Sequence, residues 1–264
     1  MPRVPFMVRL RFRTPVAVGS FGLLPALDAL LAAQVMARRG DLIPAPRQEP
    51  RPVSLPLDEL APGCWAASVL MPTAVPDDDT RPQKDRPAGA HLYARSYLGP
   101  HWHGLAMPEY TDVSTSSVRD SSRGPFVTHQ RKAGALIVPE AVAFGRGDPW
   151  AVAELLRGVW QVGGQRGIGY GLLRQPPLVQ RVAEDRTLRD PQDGKLLRIV
   201  PVRLASALGL DIKDSALKAV VRLASCRPPL WYRPWWEPCL VPLPLNARYV
   251  TGTLVVEKEA GANG

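Results

Sequence analysis

The sequence predicts an α+β domain built in the order strand, helix, strand, strand, helix, strand. Three observations predict it. Residues 4–13 end in strict alternation, with Val8, Leu10 and Phe12 on one side and Arg9, Arg11 and Arg13 on the other, the period-two pattern of a half-buried strand. Two segments carry apolar residues at helical spacing: Leu24, Leu27, Leu30, Leu31, Val35 and Met36, then Trp150, Val152, Ala153, Leu155, Leu156, Val159 and Trp160. Short apolar or alternating stretches over 64–71, 134–144 and 170–182 supply the remaining strands.

Each element has local signals. Thr14-Pro15 ends the first strand. Pro25 suits the first turn of a helix over 24–39, Asp28 favours its N-terminal dipole, and Arg38-Arg39-Gly40 supplies cations and a glycine stop. Residues 41–62 are proline-rich and extended. Asp148 caps the second helix with Pro149 at its first position. Pro139 is expected to bend the strand over 134–144. This order of elements is the ferredoxin-like (RRM-like) βαββαβ arrangement, used by many RNA-binding domains. The expected organisation is a domain over 1–182, interrupted at about 72–133 by a long, aperiodic central finger insertion, and a smaller C-terminal β-rich extension over 183–264 packed on it. In that extension 196–202 reads as a strand, 215–226 as a helix and 248–256 as a closing strand, with a disordered end. The aromatic, proline-rich stretch from Trp231 to Cys239 reads as a rigid flap over the core, or as a set of rings that stack on bases.

Composition bounds the partners. The chain has 264 residues, 33 basic and 24 acidic, for a formal charge of +9 and a pI near 9.9. Such a balance favours polyanions, and most of the cations are arginines, whose forked guanidinium suits phosphate. The 29 prolines argue against a helical bundle. Three cysteines, Cys64, Cys226 and Cys239, have no CxxC spacing and fit neither a disulfide framework nor a zinc knuckle. They are expected to be reduced and buried. No apolar run has spanning length, so a soluble cytoplasmic protein with no membrane partner is expected.

The stretch Gly163-Gly164-Gln165-Arg166-Gly167-Ile168-Gly169-Tyr170-Gly171 holds five glycines, one arginine and one tyrosine. Its backbone N–H groups could cradle an anion, with Arg166 adding a fixed charge. Its glycines could equally serve a tight helix-to-strand turn. It follows a helix and precedes a strand, the reverse of a dinucleotide fingerprint, and lacks the Gly-Lys-Ser/Thr ending of a nucleotide hydrolase loop. The insertion carries Arg119, Arg123, His129, Arg131 and Lys132 among hydroxyls and Phe126, a composition suited to a finger over a nucleic-acid backbone or to a polar surface loop. Arg9 and Arg11 give the first strand a basic face. His101-Trp102-His103 near Asp77-Asp78-Asp79 lacks a third fixed ligand, so no metal and no cofactor are expected. No nucleophile elbow or triad pattern is present, and no catalytic residue is assigned.

Three stretches carry a family resemblance: Pro15-Val16-Ala17 leading into Leu27-Asp28-Ala29-Leu30-Leu31-Ala32, then Ser122-Arg123-Gly124-Pro125-Phe126, then the glycine loop. On these the chain resembles the RAMP superfamily of CRISPR-associated proteins. It is most similar to the small RAMP subunit of type IV CRISPR effector complexes. The resemblance implies CRISPR RNA binding without catalysis, with the subunit capping the 5′ handle of the guide beside a backbone RAMP subunit and the large subunit. Contact with target DNA stays open. It further implies that Gly164, Arg166, Gly167 and Gly169 face phosphate, within an RNA-binding set that also holds Gly163 and Tyr170, and that Arg123 to Lys132 form the finger. Two alternatives stand beside it: a metal-independent endoribonuclease using His101, His103 or His129 beside Arg131 or Lys132, and a metabolic enzyme whose glycine loop holds a phosphorylated ligand.

Overall fold

The computed structural model describes residues 3–17, 21, 23–41, 49–72, 91–100, 128–163, 169–228, 232–243, 247–250 and 253–256. It is a mixed α/β structure with antiparallel sheets and few helices. In chain order the first part contains β1 (Val4–Arg11), β2 (Val16–Ala17), α1 (Leu27–Arg38), β3 (Glu59–Ala61), β4 (Cys64–Trp65), β5 (Met71–Pro72), β6 (His91–Pro100), β7 (Thr128–Ile137), β8 (Glu140–Gly147), α2 (Pro149–Leu156) and β9 (Leu178–Arg181). The central sheet runs β5-β8-β1-β9, with every neighbouring pair antiparallel.

Side-chain size sets the packing of this sheet. Along β1, Phe6, Val8 and Leu10 alternate onto one face and are fully buried. Their cross-strand partners on β8 are Gly145, Ala143 and Ala141. Large residues on one strand thus lie beside small ones on the next, as close packing requires. A Cβ at Gly145 would come within 2.4 Å of the Phe6 ring. Leu27, Leu30 and Leu31 of α1 and Val152 and Leu156 of α2 complete the same core. Asp148 caps α2, its carboxylate accepting from the N–H groups of Trp150 and Ala151, as the sequence predicts.

Several expected boundaries are corrected. Pro25 lies outside α1, whose N-cap is Ala26. The strand expected over 64–71 is broken into β4, isolated bridges at Ala67 and Val69, and β5. The strand expected over 134–144 is two strands. Proline has no N–H for the ladder, and at Val138-Pro139 the chain leaves the β2-β7-β6 sheet for the central one. Part of the insertion expected to be aperiodic is regular: β6 and β7 pair from His91–Ile137 to Pro100–Thr128. Helix α2 ends at Leu156, and Trp150 and Trp160, placed by periodicity on the apolar side, are 66% and 52% exposed. The fourth strand shortens to β9, preceded by bridges at Leu172 and Leu173.

The C-terminal part contains β10 (Val200–Pro201), α3 (Val202–Ala205), β11 (Ala219–Ala224), β12 (Glu237–Pro242), β13 (Ala247–Val250) and β14 (Thr253–Val256). Its three-stranded sheet runs β10-β12-β11 over a second core of Leu196, Val200, Ala205, Leu210, Leu217 and Leu240. The helix expected over 215–226 is a 3₁₀ turn, capped by Asp214, followed by β11. Lys218 adopts φ +44° between them, a left-handed value that ends helical winding, and the β-branched pair Val220-Val221 favours the strand that follows. The strand expected over 196–202 is limited to β10, and that over 248–256 is the hairpin β13–β14. The chain end lies outside the described residues.

The two parts meet at a buried ion pair. Arg198 Nη2 lies 3.5 Å from Asp28 Oδ2, and both residues are 2% exposed. The Val69 N–H also donates to the Leu197 carbonyl. Asp28 is therefore a buried partner, not only the first-turn charge its position in α1 implies. Burial pushes its carboxyl up to about 6, against the lowering effect of Arg198. Cys64, Cys226 and Cys239 are free and buried. A hydrogen bond from Cys226 brings the Cys64 thiol down to about 7 despite its burial. Tyr232 is buried and meets Trp235 edge-to-face, and Arg227 stacks 3.9 Å over the Trp235 ring. Arg227, which lies over Trp235, also fills the space beside Gly63. No helix among the described residues is long and apolar enough to cross a membrane.

Candidate nucleic-acid interface

The candidate site is organised by three residues, Pro15 to Ala17, that follow β1. Three segments meet there. On one side β2 pairs with β7, Val16 opposite Leu136 and Ala17 opposite Ala135. On the other side the glycine bend docks. Gly171 donates its N–H to the Pro15 carbonyl, and Leu172 donates to Thr14 Oγ1. The third segment is β1 itself, which leads into Thr14-Pro15 through Arg11, Phe12 and Arg13.

The two legs of the glycine bend form a short ladder. Val162 N–H donates to Gly171 O, and Leu173 N–H donates to Trp160 O. Gly171 is required for this closure: it has φ +68°, and a Cβ there would sit 1.8 Å from Val162 O. Gly163, at φ +89°, lies close under the Ala17 carbonyl, where a Cβ would approach to 3.2 Å. Gly169, at φ +88°, has nothing among the described residues within 4 Å of where a Cβ would stand. Tyr170 is 5% exposed and packs on Ala17. It is thus an anchor of the bend, although its buried hydroxyl has no hydrogen-bond partner among the described residues. Gly163 and Gly171 serve the turn, Gly169 meets no described neighbour, and Gly164, Arg166 and Gly167 lie outside the described residues.

The basic residues of the finger divide similarly. Arg119 and Arg123 lie outside the described residues, as does the His101-Trp102-His103 pair. His129, Arg131 and Lys132 lie on β7, in register with Gly99, Tyr97 and Ser96 of β6. The base of their hairpin is held through β2 to the chain segment that holds the glycine bend.

Arg9 and Arg11 lie on the sheet face opposite the helices and share one counter-charge. Arg11 Nε is 3.1 Å and Arg9 Nε 3.5 Å from the two oxygens of Glu140. Arg9 Nε is shielded from solvent and makes no hydrogen bond among the described residues. Two further arginines join this face. Phe12 bridges Leu173, with Arg13 N–H donating to Leu172 O and Arg174 N–H donating to Arg11 O. That register sets Arg174 directly opposite Arg11. Arg13 continues the alternation of β1; Arg174 has no signal in the sequence, because only the pairing across the bend brings it here. No protein-family model and no curated protein sequence matches the chain.

Proposed function

We propose that this chain is a non-catalytic RNA-binding subunit with a ferredoxin-like core, and that it caps the 5′ handle of the guide RNA in a type IV CRISPR effector complex. One observation carries the RNA-binding part. The chain at Pro15–Ala17 serves as common support for an arginine-bearing strand, a glycine bend and the hairpin that bears His129, Arg131 and Lys132. Cations carried on segments that share one support would suit a sugar-phosphate chain, which is held by many modest contacts. The strand order β5-β8-β1-β9, with one helix after β1 and another after β8, supports the ferredoxin-like reading. The CRISPR assignment, the backbone and large subunits as partners and a cytoplasmic location rest on the sequence resemblance.

The test incubates the purified protein with labelled repeat RNA, with and without EDTA. The expected result is binding without cleavage, with an affinity that falls as salt rises. Cleavage that persists in EDTA and is lost in His129→Ala would replace this reading with the endoribonuclease. Absence of RNA affinity at moderate salt would leave a small phosphorylated ligand for the glycine bend.

A further inference from the structure

We infer that Arg11, Arg13 and Arg174 form a three-guanidinium site that takes neighbouring phosphates of a single RNA strand, on the open face of the central sheet where β1 ends. The inference rests on the RNA-binding reading above and adds a site that its glycine bend and finger do not contain.

The observations are structural. Side chains two apart on a strand share a face, so Arg9, Arg11 and Arg13 line one side of β1, away from the buried Val8, Leu10 and Phe12. Cross-strand pairing adds Arg174 opposite Arg11. Residues directly opposite at such a position have Cβ atoms only about 5 Å apart, and like charges there repel. Among the described residues Glu140 is the one carboxylate paired with this strip. Among the described residues, four guanidiniums against one carboxylate leave three uncompensated positive charges. Arg13 is exposed, and its guanidinium has no hydrogen-bond or ion-pair partner among the described residues. Arg174 is also exposed, but its Nε donates to the Phe12 carbonyl at 2.9 Å. That bond fixes the base of the guanidinium, and among the described residues its terminal nitrogens have no partner.

The bond from Arg174 Nε to the Phe12 carbonyl holds the side chain in place but does not neutralise the charge it sets against Arg11. An anion bridging them removes the repulsion and gains charge-assisted hydrogen bonds. The fork geometry favours phosphate oxygens, and the roughly 7 Å repeat of alternate residues along β1 presents successive cations to a chain of phosphates instead of a single compact ion.

Two variants test the site with the full chain. Arg13→Gln removes a charge with no side-chain partner among the described residues and keeps a polar side chain of similar length, so the fold is expected to be little changed. Arg13→Glu reverses it and places a carboxylate beside Arg11. Single-stranded RNA binding is measured by fluorescence anisotropy across a salt series, and Tm is measured with and without sodium triphosphate. The expected result is that Arg13→Gln lowers the salt slope by about one unit, and that Arg13→Glu weakens RNA binding further while its own Tm equals or exceeds that of the parent. Triphosphate is expected to raise the parent Tm and to lose that effect in Arg13→Glu. An unchanged RNA affinity and slope in both Arg13 variants, with binding lost in Arg131→Ala or Arg166→Ala, would overturn this site and leave the RNA-binding reading standing. No RNA affinity in the parent chain would overturn both. Protection by triphosphate that survives Arg13→Glu would overturn the site by showing that the phosphate binds elsewhere.

Discussion

Two groups of arginines in this protein have opposite surroundings. Arg198 is sealed between α1 and the C-terminal sheet against the carboxylate of Asp28. Arg11, Arg13 and Arg174 stand exposed where β1 ends, with Arg9 half-buried beside them and Glu140 as the paired carboxylate among the described residues. The first arrangement joins two parts of one chain; its charges cancel, and burial makes each depend on the other. The second is left positive, which costs little in water and gives an approaching anion something to neutralise. Composition alone counts all five as basic residues, and only their surroundings separate a structural cation from a binding one.

The sharpest way to break this contrast is to remove the buried cation. Arg198→Ala strands the Asp28 carboxylate and is expected to destabilise the fold by about 3–5 kcal/mol in urea titrations. The double variant Asp28→Leu/Arg198→Met is expected to recover most of that loss, since an apolar pair can replace a buried ion pair. Arg13→Gln is expected to leave stability nearly unchanged in the same assay.

Glycines of the bend divide in the same way. Gly171→Ala forces a Cβ against Val162 O at a left-handed φ and is expected to cost about 3 kcal/mol. Gly169→Ala meets nothing among the described residues and is expected to cost about 1 kcal/mol, from its backbone conformation.

Next in size is the pH response of the buried pair. The Asp28 carboxyl sits near 6 in the folded chain against an ordinary value of 3.8. The folded state therefore binds the proton more tightly. This contribution to stability is fully present below about pH 4 and is lost as pH rises through 6. Relative to Asp28→Asn, the parent chain is expected to gain about 1 kcal/mol between pH 7 and pH 5, read by denaturation at each pH.

The smallest effect belongs to the open face. Glu140→Gln is expected to cost less than about 1 kcal/mol and to raise RNA affinity about threefold at low salt, because it removes a competing negative charge. A fall in affinity would show that Glu140 orients Arg11 more than it neutralises it.

Much of the first strand and the second helix was legible in the sequence, because their signals are local. The alternation from Val8 to Arg13 needs only the two-residue period, and Asp148-Pro149 needs only the geometry of one helical turn. The stretch from Ser215 to Cys226 was misread because Leu217, Val220, Val221 and Ala224 fit a helical face as well as they fit a turn followed by a strand. Pairing of β11 with β12 decided between them. Of the candidate site, Arg9 and Arg11 were readable from alternation. The burial of Tyr170 was not, since a tyrosine in a glycine loop carries no sign of which way it packs.

What the amino-acid order determined by itself was the strand with its arginine face, the capped helix, the glycine bend and the excess of positive charge. Each depends on neighbours within a few residues, where sterics and periodicity act directly. Tertiary structure alone decided that Asp28 meets a cation 170 residues away, that Arg174 lies across from Arg11, and that Val16–Ala17 links the bend to the finger. Those outcomes depend on which backbones pair and which side chains are removed from water together, and no local spacing encodes either.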